Sequence, residues 1–168
     1  MKKINTLFLP LILLMNLAHA ENDKLYSFIG IQTSTTQFEN NTVPTIGLRY
    51  GMQSEKIRTS IAYNYGKNSN NQYQTLMMQM DTGILSNTFA NSNFKPYMGA
   101  SFGIIQYDDK QTTKSLRDRG YIYGINAGLT YILNDALDLD LGYKFLKTEK
   151  VENINSINDL TFAMHYFY

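Results

Sequence analysis

Between residues 120 and 132 the chain sets Tyr121, Tyr123, Ile125, Ala127, Leu129 and Tyr131 in alternation with Gly124, Asn126, Gly128 and Thr130. A period of two sends the first set to one face of a β-strand and the second to the other. The same pattern recurs along most of the chain. No segment keeps a 3.6-residue period for three turns, so helix is disfavoured throughout. Eight strands are expected, at approximately 25–35, 43–52, 56–66, 73–86, 94–107, 120–132, 136–147 and 157–168. The first is ambiguous in phase, because Ile29 and Ile31 compete with Tyr26 and Phe28.

Apolar faces could line the core of a soluble sandwich or lipocalin-like barrel, or they could meet lipid. The opposite faces decide between the two. They carry Gly47, Gly66, Gly83, Gly99, Gly103, Gly124, Gly128 and Gly142, with Ser60, Ala62, Ser101 and Ala163 among them. A solvated strand face would favour Lys, Glu and Thr, because Gly weakens a strand and has nothing to pack. Small residues suit a narrow, crowded lumen closed by eight strands. The aromatics point the same way: the chain has 13 Tyr, 9 Phe and no Trp. Tyr50, Tyr131, Tyr166 and Tyr168 are expected near one rim and Tyr65, Tyr73, Tyr121 and Tyr143 near the other. Two such rings match the aromatic girdles at membrane interfaces. The expectation is an all-β, eight-stranded antiparallel up-and-down transmembrane β-barrel, apolar faces outward. Connections are expected to alternate. Those after strands two and six are tight and the one between strands four and five is moderate. The others ("TQFENNT", "KNSNNQ", "DDKQTTKSLRDR", "TEKVENINS") are mostly longer and more polar.

The first residues carry a different signal. Lys2 and Lys3 precede an apolar stretch from Leu7 to Leu17, and Ala18-His19-Ala20 follows. This is the layout of a secretory signal peptide with an A-x-A cleavage site at Ala18 and Ala20. A spanning helix would need roughly 20 apolar residues. Residues 1–20 are therefore expected to be removed, leaving a barrel domain over 21–168. The formal charge of +1 becomes −1 once Lys2 and Lys3 are gone, too weak in either sign to suggest nucleic acid. There is no Cys, hence no disulfide and no lipidated cysteine.

The stretches "KPYMGASFGI" (95–104), "YGINAGLTYIL" (123–133) and the final strand "LTFAMHYFY" carry a family likeness. The sequence resembles the small eight-stranded outer-membrane β-barrels of Gram-negative bacteria, the OmpA/OmpX-like and opacity-type group, over essentially all of 25–168. The resemblance implies a location in the outer membrane, among its lipids. It also implies a C-terminal recognition signal for the barrel-assembly machinery, with Thr161, Ala163, Tyr166 and Tyr168 in the signal positions. Ala163 replaces the family's Gly and Tyr168 its usual terminal Phe. A strand that ends on an aromatic stripe would then be both the closing strand and an address.

Charges on lumen faces need partners. If the hairpin after strand two turns at Gln53-Ser54, Arg49 falls opposite Arg58. If the next connection centres between Ser69 and Asn70, Arg58 falls opposite Asp81. One layer of Arg49, Arg58, Asp81, Asp138 and Asp140 is expected, with a higher pair of Lys144 and Asp159. Arg suits the layer because its planar fork can serve more than one carboxylate.

Catalysis is not expected. Asp138 and Asp140 share a face, which invites an acid–base reading, but a salt-bridged plug accounts for them better. His165 remains alone after signal cleavage and has inward parity. No cofactor and no metal are expected, and a multi-His metal site is excluded. Three roles remain: a structural barrel of the envelope; a surface module whose long loops, above all "DDKQTTKSLRDR", bind an extracellular ligand or host surface; and a narrow pore for small solutes.

Overall fold

The computed structural model describes residues 24–54, 56–83, 89, 91–109, 116–151 and 154–168, except 39–40 and 70. Eight strands run in chain order: β1 (Tyr26–Phe38), β2 (Asn41–Gln53), β3 (Ile57–Lys67), β4 (Asn71–Gly83), β5 (Phe94–Asp109), β6 (Leu116–Asn134), β7 (Leu137–Glu149) and β8 (Ser156–Phe167). Every neighbour is antiparallel, and β8 pairs with β1 to close the barrel. Closure leaves no strand edge, so backbone donors and acceptors are met within the wall, as hydrocarbon demands.

Register sets the shape. Following partners once round, from Leu139 through Met164, Ile31, Leu48, Tyr63, Leu76, Ile104 and Tyr121 to Glu149, returns to β7 ten residues beyond the start. In an eight-stranded barrel such a stagger tilts the strands by roughly 40° to the axis. The lumen is then narrow enough for side chains to fill.

The outward faces are apolar. Ile31, Ile46, Leu48, Ile61, Phe102, Ile125, Leu141 and Phe162 are each about half exposed or more. A belt of such size on a monomer marks a surface meant for an apolar medium. The phase of β1 is settled: Ile29 and Ile31 face out, while Phe28 is wholly buried. The tyrosines Tyr50, Tyr166 and Tyr168 face outward near one rim, and Tyr121 and Tyr143 face outward nearer the other. Tyr73 departs from the expected girdle. It shares the inward face of β4 with Thr75, Met77 and Gln79 and is buried, its ring lying where a side chain at Gly66 would otherwise stand.

The connections also depart from expectation. At the rim formed by the β1–β2, β3–β4, β5–β6 and β7–β8 connections, the hairpin rim, they span only 39–40, 68–70, 110–115 and 150–155. About half of the residues expected in long loops there extend the strands instead, because pairing satisfies backbone groups that a loop would leave to water. At the opposite rim, where β1 begins and β8 ends, the connections span 54–56, 84–93 and 135–136. The longest connection thus lies at the rim expected to be short-turned. The proposed cleavage positions Ala18 and Ala20 lie outside the described residues.

Candidate functional site in the barrel lumen

The small residues make room for the large ones that cross the lumen. Tyr97, inward on β5, reaches over Gly128 and Gly142. A Cβ at either would stand 2.6 Å from the Tyr97 phenol, from Cζ at Gly128 and from the hydroxyl at Gly142. The hydroxyl thereby donates to Asp140 Oδ1 at 2.9 Å, and the Tyr97 ring carries the Arg58 guanidinium 4.6 Å from its centroid.

Arg58 is the hub of the lower lumen. Its Nε donates to Asp81 Oδ2 at 3.2 Å, its Nη2 to Asp140 Oδ2 at 2.8 Å and its Nη1 to Thr130 Oγ1 at 3.4 Å. Both carboxylates keep neutral donors as well. Gln79 Nε2 lies 3.0 and 2.9 Å from the two oxygens of Asp81, and Asn126 also donates to it. Thr130 Oγ1 donates to Asp140 at 3.1 Å. Fork geometry explains why an arginine, and not a lysine, sits here.

Arg49 is not opposite Arg58. The β2–β3 register pairs Gln53 with Arg58 and Arg49 with Ala62, so the turn lies nearer β3 than Gln53-Ser54. The shift separates two like charges along the wall. Arg49 instead reaches across, with Nη1 3.9 Å from Asp140 Oδ1 and 3.3 Å from His165 Nε2. His165 Nδ1 is 2.6 Å from Asp138 Oδ1. This geometry suits an imidazole that donates to Asp138 and accepts from Arg49.

Higher up, Lys144 lies directly opposite Asp159 in the β7–β8 register, with Nζ 3.2 Å from Oδ2. Lys144 also donates to Thr161 at 2.7 Å, and Thr36 donates to Asp159 Oδ1 at 2.8 Å. All seven expected lumen charges are therefore inward and buried. They divide into an Arg58 cluster with Asp81 and Asp140, an Arg49–His165–Asp138 arm, and the Lys144–Asp159 pair. Four carboxylates face three arginine and lysine cations, and His165 stands against the fourth.

Above the charges lies an apolar plug, which the alternation alone did not announce. Phe38, Val43, Tyr73, Met77, Ile105, Tyr107, Ile122, Leu146 and Ile157 fill the hairpin end, and Ile154 from the β7–β8 connection tucks into it. Phe38 meets Tyr73 edge-on, with ring centroids 4.8 Å apart. The signal was present where apolar residues are adjacent, as in Met77-Met78, Ile104-Ile105 and Phe145-Leu146, so that one of each must turn inward. Phe28, against His165 and Phe167 at 4.8 and 5.4 Å, fills the opposite end. From rim to rim the lumen is occupied by side chains.

The closing strand carries Thr161 and Ala163 inward and Tyr166 and Tyr168 outward. Tyr168 N donates to Ser27 O at 3.1 Å, so the last residue is tied to β1. Among the described residues no group of three or more His, Cys, Asp or Glu is arranged to hold a metal ion.

A family model described as outer membrane protein beta-barrel domain matches residues 6–166. Among curated proteins none matches the sequence. Solved structures match over nearly the whole barrel. Neisserial surface protein A shares 16% identity at a TM-score of 0.67, covering 88% of this chain and 100% of that one. Outer membrane protein H (OprH) from P. aeruginosa shares 20% identity at a TM-score of 0.63, covering 85% and 99%. The outer membrane enzyme PagL, with 10% identity, a TM-score of 0.51 and coverage of 83% and 98%, has the same fold. At these identities the likeness is one of fold, and the fold is compatible with catalytic and non-catalytic members alike.

Proposed function

The chain belongs to the outer membrane protein beta-barrel family, and on that premise we propose that it acts as a closed, non-conducting barrel that contributes to the integrity of the outer membrane. The observation that carries the reading is the filled lumen, with Phe28 at one end, three linked charge groups in the middle and the apolar plug above. Water would have to part paired charges and then an apolar layer in order to cross. Residues 1–20 would be removed after Ala20 on export. Thr161, Ala163, Tyr166 and Tyr168 would be read by the barrel-assembly machinery. A non-catalytic role fits His165, which is fully buried with both ring nitrogens engaged.

Planar-bilayer recording of the refolded protein tests the proposal. We expect no stable conductance steps. Reproducible steps in the wild type, absent from a heat-unfolded control, would overturn it in favour of a narrow pore.

A second reading, binding of an extracellular ligand or host surface, is favoured by one feature. The β5–β6 pairing continues to Asp109–Leu116, whereas the β6–β7 pairing starts only at Tyr121, so the end of β6 stands beyond β7. Deleting 110–115 should abolish adhesion to host cells if that reading holds, and unchanged adhesion would dismiss it.

A further inference from the structure

The outside of the barrel is not a uniform apolar wall. A cleft of about 380 Å³ opens on the outward face between β3 and β6, walled by Tyr63, Leu76, Ile104 and Tyr121, with Arg119 and Lys150 among its lining residues. These four wall residues are successive register partners from β3 to β6. Tyr63 also lines a second outward groove, of about 620 Å³, which continues over Ile31, Ile46, Leu48 and Met164. An apolar furrow therefore winds up the barrel and reaches two cations close to the hairpin rim.

Those cations are placed. Arg119 lies one outward-facing position nearer the rim than Tyr121, paired with Gln106, and its Nε donates to Gln106 Oε1 at 3.1 Å. Lys150 holds its Nζ 5.1 Å from the centre of the Tyr121 ring. Its backbone has φ of 63°, the left-handed region that side chains other than Gly and Asn seldom occupy. Such a conformation persists where the surroundings over-determine it. Lys147 is exposed on the same face of β7. The acid that shares this face, Glu149, accepts from the Tyr123 hydroxyl at 3.2 Å.

A tyrosine marks interface depth, and a cation just beyond it stands where lipid phosphates lie. We propose that this cleft is a binding site for a phosphorylated lipid of the outer leaflet. The phosphate lies between Arg119 and Lys150, and an acyl chain runs down over Tyr121, Ile104 and Leu76 along the furrow. Both halves are needed: the furrow selects an amphiphile and the cations select an anion. The site takes the membrane placement of the barrel from the family, but it is independent of whether the lumen conducts, so conductance and lipid retention can fail separately.

Native mass spectrometry of the full mature barrel, refolded in neutral detergent, reads the proposal directly. The probes are bisphosphorylated lipid A, its dephosphorylated form and inorganic phosphate. The wild type should retain the phosphorylated lipid, less so as salt rises. Arg119→Ala/Lys150→Ala should weaken retention by roughly thirtyfold, about fivefold for each cation removed near a charged surface. Lys24→Ala/Lys56→Ala, exposed cations at the opposite rim, should bind as the wild type does. Arg119→Lys/Lys150→Arg, which keeps both charges, should restore most of the binding and excludes a folding defect as the cause. Equal retention by the Arg119/Lys150 alanine variant, equal retention of the dephosphorylated lipid, displacement by inorganic phosphate at matched concentration, or a stable dimer that excludes lipid would each overturn it.

Discussion

Arg58→Met separates a dry lumen from a wet one. Methionine keeps much of the length of the side chain and removes the fork that holds Asp81 at 3.2 Å and Asp140 at 2.8 Å. In water an ion pair is worth about 0.2–1 kcal/mol. Stripping one partner from a buried pair costs about 3–5 kcal/mol, because a charge is left uncompensated. The two carboxylates stay partly served: Asp81 keeps Gln79 and Asn126, while Asp140 keeps Tyr97, Thr130 and Arg49 at 3.9 Å. These donors place the expected loss near the lower limit for a buried pair, about 3 kcal/mol. Urea titration in phospholipid vesicles, with the folded fraction read from migration of unboiled samples on gels, measures it. Neutralising the stranded carboxylates as well, in Arg58→Met/Asp81→Asn/Asp140→Asn, should recover all but about 1 kcal/mol, since a matched neutral set needs no counter-charge. If Arg58→Met alone costs less than about 1 kcal/mol, as a solvated pair would, the lumen is hydrated and the closed-barrel reasoning fails.

Three further tests address orientation, packing and assembly. Ile31→Arg, half-way along an outward face, should cost about 2–4 kcal/mol in vesicles, whereas Tyr26→Arg at the rim should cost at most about 1 kcal/mol; equal costs would mean that the outward face does not meet hydrocarbon. Gly142→Ala puts a methyl 2.6 Å from the Tyr97 hydroxyl and should cost about 1–3 kcal/mol; the penalty should largely vanish in a Tyr97→Phe background, and a penalty unchanged there would show that the phenol is not what the glycine accommodates. Tyr168→Ala should lower the yield of assembled barrel in cells while leaving refolding in detergent unchanged; an equal loss in both would make the residue a stability element instead of an address.

The face that most strand residues present was legible from the sequence alone, the phase of β1 and the place of Tyr73 excepted, because alternation is a local property: once a segment is extended, parity decides in or out. That is why strand number, the inward turn of all seven lumen charges and the outward apolar belt could be read without a structure. The Arg58–Asp81 and Lys144–Asp159 juxtapositions were legible for a related reason, since each lies within one hairpin whose turn can be located. What parity cannot tell is which inward residues meet across the lumen. Contacts such as Arg49 with His165, Arg58 with Asp140 and Tyr97 with Asp140 join strands that are not neighbours, and they depend on a stagger of ten that accumulates over all eight pairings. A turn misplaced in the β2–β3 hairpin therefore brought Arg49 opposite Arg58, where the closed barrel sets Ala62. Likewise the apolar plug, the inward Tyr73 and the strands grown through polar connections came from filling a space of fixed size and satisfying backbone groups at its rim. Both conditions arise only once the sheet has closed on itself.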